Sequence, residues 1–208
     1  MRTWERALRR AAVPLAYSHG FHPQARIALA APLPVGVTSE GELMDVFLCR
    51  HLPPREFLNR VRPQLPPGLQ IVDVREVPLE EASLQSRVRF ADYRADVQSD
   101  LTRREVEDRV RQLLEATEVL GERRREGKVR RYNLRPLVED LSVESWNDPR
   151  RLHMRLRNSP SGAARPDEVL EALGLGRQAA QIHRVLLVFD REQARPSDKS
   201  IDAHGQPN

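Results

Sequence analysis

The sequence contains one cysteine, two lysines and no long apolar run. The single Cys49 excludes an internal disulfide and cannot hold a cluster that needs several thiolates. We therefore expect a reducing, cytoplasmic environment and no cofactor held by this chain. No apolar run approaches the roughly 18 residues of a membrane-spanning helix. The N-terminal arginines are not followed by the apolar core of a signal peptide, so we expect neither a membrane partner nor export.

Basic residues are almost all arginine and are unevenly distributed. Lysine occurs only at positions 128 and 199, so 32 of the 34 basic residues are arginines. Residues 1–26 contain five arginines and one glutamate, and residues 121–157 contain eleven basic and six acidic residues. A G+C-rich genome explains a surplus of arginine, whereas contact with RNA phosphates explains its concentration in two blocks. Both explanations stay open, and the second predicts a surface that faces a polyanion.

The first 85 residues show the periodicities of short helices and strands. Apolar positions at helical spacing predict a helix over residues 2–12, and Pro53-Pro54 begins a second one. Strands are predicted over residues 26–31, 43–49 and 69–77. A change in composition follows, and we place a domain boundary near residue 85.

The second half begins with the clearest alternation in the chain, residues 91–98, which predicts a half-buried strand. A capping box at Thr102 to Glu105 predicts the start of a helix. Residues 119–134 predict a hairpin, which residues 137–143 extend. A strand is predicted around residues 152–156, a short helix from Pro166 and a central strand over residues 182–189. Residues 191–208 predict a disordered tail.

The element order is α-β-β-α-β followed by β-α-β-β-β-α-β. The second series contains a ferredoxin-like order with one extra strand. The first would match if a strand preceded Met1. We therefore expect an α+β protein of two ferredoxin-like (RRM-like) halves with antiparallel sheets, residues 1–85 and 86–190.

Four segments resemble the bacterial radical-SAM-linked domain of unknown function: Glu5-Arg6-Ala7-Leu8-Arg9-Arg10-Ala11, Tyr17-Ser18-His19-Gly20-Phe21-His22-Pro23, Pro32-Leu33-Pro34-Val35-Gly36-Val37 and Ser39-Glu40-Gly41-Glu42-Leu43-Met44-Asp45. Arg135-Pro136-Leu137 and Arg165-Pro166 extend the similarity, which covers the chain to about residue 190.

This resemblance implies a partner that performs S-adenosylmethionine radical chemistry. Because members lie beside ribosome and RNA-processing genes, it also implies RNA. It supplies no catalytic residues. Similar proteins have a strand and a Ser-His-Leu-Asp-like turn before the first helix, whereas this chain starts within that helix. We therefore expect the first strand to be missing, which would leave an unpaired sheet edge.

The loops between residues 17 and 45 form the first candidate site, because loops rich in aromatic and ionisable residues frequently carry function. The alternatives are a metal site, an acid/base pair and a purely structural loop. The metal site would use His19 and His22 with Glu42, Asp45, Cys49 or His51, and the acid/base pair would be Glu42 and Asp45. We predict a binding loop without metal, formed by Tyr17, Ser18, His19, Phe21, His22, Arg26, Glu42 and Asp45.

The second basic block forms the other candidate site, for RNA. An aromatic residue among arginines offers both base stacking and phosphate contact, whereas a charge run is also typical of a solvated hairpin. The predicted RNA-binding residues are Arg123, Arg124, Arg125, Lys128, Arg130, Arg131, Tyr132, Arg135, Arg151, His153 and Arg155.

Three functions are consistent with these patterns. The first is a non-catalytic RNA-binding accessory protein that presents RNA to a radical SAM partner or a ribosome-related enzyme. The second is an RNA- or nucleotide-modifying enzyme acting at the 17–45 loops, by fold analogy. The third is a purely protein-binding subunit of a radical SAM enzyme, docked through the loop that contains Tyr17 and Phe21.

Overall fold

The computed structural model describes residues 1–125, 127–176 and 180–190, in which helices and antiparallel sheets are mixed. The helices are α1 (Arg2–Arg10), α2 (Pro54–Val61), α3 (Leu84–Arg87), α4 (Arg103–Glu115) and α5 (Pro166–Ala172). The strands are β1 (Ile27–Leu29), β2 (Val37–Ser39), β3 (Met44–Val46), β4 (Val88–Val97), β5 (Leu120–Arg125), β6 (Lys128–Asn133), β7 (Val138–Trp146), β8 (Arg150–Ser159), β9 (Gly162–Ala163) and β10 (Ala180–Phe189).

The main sheet has the strand order β2-β10-β4-β8-β7, with β9 paired to β8. β2 runs parallel to β10, and the other pairs are antiparallel. The alternation predicted for β4 is confirmed, because Ala91, Tyr93 and Ala95 are all buried. The predicted central strand is also confirmed, since β10 lies between β2 and β4.

Helices α4 and α5 cover one face of this sheet. The capping box of α4 is present: Thr102 Oγ1 accepts from the backbone N–H of Glu105, whose carboxylate accepts from the N–H of Thr102 at 2.7 Å. The buried stripe of α4 and that of α5 join the apolar side chains of β4 and β8 in one core, formed in part by Val106, Val110, Leu113, Val169, Leu170, Leu152, Met154 and Leu156.

A second, smaller core joins α1 and α2. Leu8 and Val61 are its fully buried side chains, and Phe57 lies beside them. The antiparallel pair β1–β3 adds Ile27 and Val46 at its border. No helix in residues 1–125, 127–176 or 180–190 has the length and apolarity needed to cross a bilayer.

The strand predicted over residues 69–77 is absent, and this prediction was wrong. Ile71 and Val74 pack against the smaller core without forming a strand, while Val72 is largely exposed. A strand needs a partner for its backbone groups, and among the described residues no strand pairs with this segment.

The segment after the hairpin was also predicted incorrectly. Residues 137–143 do not extend the hairpin, because a 3₁₀ turn at Arg135–Leu137 separates it from β7, which pairs with β8 in the main sheet. Proline at position 136 has no N–H to continue a ladder. The Arg135 guanidinium donates to the carbonyls of Leu114 and Val138, both at 2.8 Å, and fixes the turn. The β5–β6 hairpin is therefore an insertion beside the main sheet.

Residues from both sides of position 85 share the main sheet. β2 belongs to the first part of the chain, yet its Val37 pairs with Ile182 of β10. The sequence predicted no strand between residues 31 and 43, so β2 was not anticipated. The tail predicted as disordered, residues 191–208, lies outside the described residues.

Candidate functional site

Residues 16–26 form an arm whose stem is held by backbone hydrogen bonds. Arg26 N–H donates to the carbonyl of Ala16 at 2.8 Å, and Tyr17 bridges Ala25. Ser18 donates its N–H to the carbonyl of Gln24 at 2.9 Å and accepts from the Gln24 N–H through its hydroxyl at 3.0 Å. The polar groups of this part of the predicted binding loop therefore tie down its own backbone.

The tip of the arm presents an aromatic ring to solvent. Phe21 is fully exposed, with 103% of its reference surface accessible, and His19 and His22 beside it are also exposed. Gly20 has a φ of 131°, a conformation that only glycine adopts without strain, and it makes the turn before the ring. The Phe21 ring belongs to neither of the two hydrophobic cores that the structure describes.

Arginines lie around the stem of the arm. The Arg9 guanidinium is 5.7 Å from the centre of the Tyr17 ring, and that of Arg26 is 4.2 Å from the Phe47 ring centre. Both distances are within the range of cation–π attraction. Arg2 and Arg6 are exposed on α1. The structure thus brings the first basic block and the aromatic arm together.

The two acidic members of the predicted binding loop serve structural contacts. Arg184, only 1% exposed, donates through Nε to one Glu42 oxygen at 2.8 Å and through Nη2 to the other. Ser39 donates its hydroxyl to Glu42 at 2.6 Å. Burial raises the pKa of the neighbouring Tyr93, an effect that Arg184 partly opposes. Asp45 accepts a backbone hydrogen bond from Leu84 at 3.4 Å.

A metal centre does not form from these groups in the part of the chain that the structure describes. No three or more histidine, cysteine, aspartate or glutamate side chains there could hold a metal ion together. His51 lies instead 3.2 Å from the carboxylate of Glu76. The alternative of an acid/base pair loses support, because Glu42 is engaged by a buried guanidinium.

The first arginine of the predicted RNA site is part of a buried ion pair. Arg123 donates from Nε and Nη2 to the two Glu168 oxygens at 2.6 and 2.8 Å, and the Glu168 side chain is only 4% exposed. Burial opposes ionisation of Glu168, but hydrogen bonds from Arg123 and its neighbours outweigh it and lower its pKa. The pair joins β5 to the first turn of α5.

The remaining hairpin residues differ in exposure. The Arg123 guanidinium lies 4.7 Å from the centre of the Tyr132 ring, and the ring packs against the main core, so it is not a free stacking surface. Burial raises the pKa of that tyrosine. Lys128, Arg130 and Arg131 are exposed, and Arg131 donates to Glu122 at 2.8 Å. The side chains of Arg124 and Arg125 lie outside the described part of the structure.

The predicted RNA residue Arg135 donates instead to the carbonyls of Leu114 and Val138. Arg151, His153 and Arg155 lie on the sheet face opposite α4 and α5, where carboxylates already bind them. Arg151 forms a two-bond pair with Asp96, whose pKa it lowers through these hydrogen bonds. Arg155 pairs likewise with Asp92, at 2.7 and 2.8 Å. His153 Nδ1 lies 3.4 Å from the Asp140 carboxylate.

Sequence reasoning missed a row of polar residues that crosses the same face. Arg94 of β4 lies in register between His153 of β8 and His183 of β10, and Thr38 continues the row on β2. The Thr38 hydroxyl is 2.8 Å from His183 Nδ1. The alternation of β4 placed Arg94 on the solvent face, but only the strand register shows which side chains lie beside it.

The fold and these surfaces define a mixed α+β protein with antiparallel sheets. The chain belongs to a family of uncharacterised proteins conserved in bacteria (DUF2344), whose model matches residues 1–166. No curated protein matches the chain. Among solved structures, a chain of a Cbf5-Nop10-Gar1 complex is similar with a TM-score of 0.34 and 12% identity, over 50% of this chain and 32% of that one. This match confirms the predicted resemblance to a bacterial domain of unknown function.

Proposed function

We propose that this protein is a cytoplasmic RNA-binding accessory protein that presents RNA to a radical SAM partner. The observation that carries the RNA part is the exposed basic surface of the β5–β6 hairpin. Lys128 and Arg130 are exposed there and form no ion pair with any residue that the structure describes. A polyanion supplies the missing negative charge.

The contrast with other arginines supports this assignment. Arg130 lies directly across the hairpin from Arg123, whose charge Glu168 neutralises. Arg151 and Arg155 on the sheet face are each matched by an aspartate. Charge that is already paired costs more to redirect to phosphate than charge that is free. We therefore assign phosphate contact to Lys128 and Arg130, with Arg131 beside them.

We also propose that residues from β4 to β10 form a ferredoxin-like (RRM-like) unit. The series β4-α4-β7-β8-α5-β10 and the sheet order β10-β4-β8-β7 match that arrangement, with the β5–β6 hairpin inserted after α4. RRM sheets commonly bind single-stranded RNA, which is an argument by fold analogy alone. We keep the boundary near residue 85 as a proposal, with β2 as an edge strand contributed from the other side.

Neutralising Lys128 and Arg130 together, as Lys128→Gln with Arg130→Gln, is expected to weaken binding to a fluorescent single-stranded 20-nucleotide RNA. Loss of two phosphate contacts lowers the slope of log Kd against log salt by about 1.4. Fluorescence anisotropy between 50 and 200 mM salt measures both quantities. The matched control is Arg103→Gln with Arg111→Gln on α4, where both arginines already pair with carboxylates. Equal losses in the two variants, or salt-independent binding, would contradict the proposal.

The radical SAM partner is supported by the resemblance in residues 5–45. A tagged protein recovered from its own cytosol, with and without nuclease, is expected to retain a protein bearing the cysteine motif of a radical SAM enzyme in both samples. Mass spectrometry identifies the retained proteins. Failure to recover such an enzyme from either sample argues against the partner and leaves the RNA proposal to its own test.

A further inference from the structure

The arm of residues 16–26 holds an aromatic ring in water at the end of a hydrogen-bonded stem. Its stem has backbone hydrogen bonds at Ala16, Tyr17 and Ser18, so the base of the arm is ordered before any ligand arrives. Phe21 at the tip is fully exposed and lies outside both cores. A preformed contact residue of this kind lowers the entropic cost of binding.

The charge near the arm is positive. Residues 1–26 contain five arginines and one acidic residue, Glu5, which is already paired with Arg9 at 2.7 Å. Arg2 and Arg6 are exposed and make no ion pair with a residue that the structure describes. Arg9 contacts the Tyr17 ring in the stem of the arm, so α1, the helix that carries Arg2 and Arg6, lies beside the stem. This surface favours an anionic ligand.

The size of the apolar surface distinguishes RNA from protein. The centre of a protein interface is a contiguous apolar and aromatic patch. Within residues 19–23 the apolar side chains are Phe21 and Pro23, both exposed, and only Phe21 is aromatic without an ionisable group. One ring with arginines nearby matches the single-stranded nucleic-acid pattern, in which a base stacks on an aromatic side chain and phosphates meet basic residues.

We propose that the arm is a base-stacking site for single-stranded RNA. The Phe21 ring stacks on one unpaired base, and Arg2 and Arg6 of α1 contact phosphates of the same strand. This inference rests on the proposed RNA function. It uses a different surface, because the arm lies about 100 residues before the β5–β6 hairpin and the hairpin forms a two-stranded sheet of its own.

The test compares Phe21→Ala, Phe21→Leu and Phe21→Trp in the full chain. The probes are a fluorescent single-stranded decanucleotide and an RNA duplex of the same length. Stacking contributes about 1–3 kcal/mol per base, so Phe21→Ala is expected to weaken decanucleotide binding at least about fivefold. Phe21→Leu is expected to lose a similar amount of decanucleotide affinity, because leucine is apolar but has no π-face on which a base can stack. Phe21→Trp is expected to retain affinity and to show fluorescence quenching by RNA.

Two controls accompany these variants. Val35→Ala removes another fully exposed apolar side chain and is expected to leave RNA affinity unchanged. Urea unfolding of Phe21→Ala is expected to match the wild type, because an exposed side chain contributes little to stability. Arg2→Gln with Arg6→Gln is expected to reduce the salt slope, whereas Phe21→Ala is not.

The outcomes separate this inference from the proposed function. If hairpin variants weaken RNA binding and Phe21→Ala does not, the arm is not a stacking site and the RNA function stands. If Phe21→Leu retains full affinity, the contact is apolar and stacking is excluded. If Phe21→Ala binds RNA normally but loses a co-purifying protein, the arm is a protein interface and the inference is overturned. If the wild-type chain binds neither RNA, both proposals fall.

Discussion

Replacing Glu42 by alanine is expected to lower the free energy of unfolding by about 3–5 kcal/mol, because it leaves a buried charge without a partner. Arg184 is 1% exposed, and its guanidinium donates to both oxygens of Glu42 and to the carbonyl of Ala31. Without Glu42, the guanidinium keeps the Ala31 carbonyl and the Tyr93 hydroxyl as partners, and neither carries a full negative charge. Urea unfolding at neutral pH, followed by circular dichroism, measures the loss.

A second variant identifies the cause. Glu42→Ala combined with Arg184→Met removes both charges and replaces the guanidinium with an apolar chain of similar length. We expect this double variant to recover at least half of the loss, because a buried pair is worth little more than well-packed apolar residues. Glu40→Ala is the matched control, since Glu40 is exposed and lies 3.7 Å from its arginine partner. A loss below about 1 kcal/mol in Glu42→Ala would contradict the argument.

Replacing Arg123 by methionine is expected to cost about 3 kcal/mol at neutral pH. Glu168 is held in the core with 4% of its side chain exposed, and Arg123 supplies two of its hydrogen bonds. The backbone N–H of Arg165, at 2.9 Å, remains but does not balance the charge. Arg131→Met is the control on the same hairpin, because the Arg131–Glu122 pair is exposed and such pairs contribute about 0–1 kcal/mol.

The cost of Arg123→Met is expected to shrink as the pH falls. In the wild type, the pKa of Glu168 is lowered from 4.5, so the stability gained from its ionised form is present above pH 4.5 and is lost as the pH drops through the lowered pKa. In the variant, burial dominates and raises this pKa, so protonation relieves the buried charge already at mildly acidic pH. Urea unfolding at pH 7 and pH 4.5 measures both proteins, and a pH-independent difference would contradict the mechanism.

These two ion pairs change how function is tested. Arg123 and Glu42 were predicted as ligand-contacting residues, and substitutions at either are expected to alter stability through buried partners. A loss of RNA binding in such a variant would not identify a contact. Lys128, Arg130 and Phe21 are better positions, because each is exposed in the described structure.

Features with local causes could be predicted from the sequence. The alternation of β4 and the capping box at Thr102 depend on residues close in the chain, and both were confirmed. The predicted mixed α+β class with antiparallel sheets was also confirmed.

Features that depend on distant partners could not be predicted in the same way. Nothing near Arg123 in the sequence indicates Glu168, which is 45 residues away. The sequence assigned Arg151 and Arg155 to RNA, but the aspartates that neutralise them lie on β4, and only the strand register brings them together. The absence of a strand at residues 69–77 has the same cause, since local pattern does not supply a pairing partner.

The position of β2 has a consequence for synthesis of the chain on the ribosome. Thr38 and His183 are 145 residues apart, yet they are neighbours in the parallel pair β2–β10. Translation proceeds from the N-terminus, so β2 emerges long before its pairing partner exists. Its backbone groups stay hydrated, and Glu42 stays without its guanidinium, until β10 leaves the exit tunnel. Closure of the sheet therefore waits for β10 and joins two segments that are synthesised 145 residues apart.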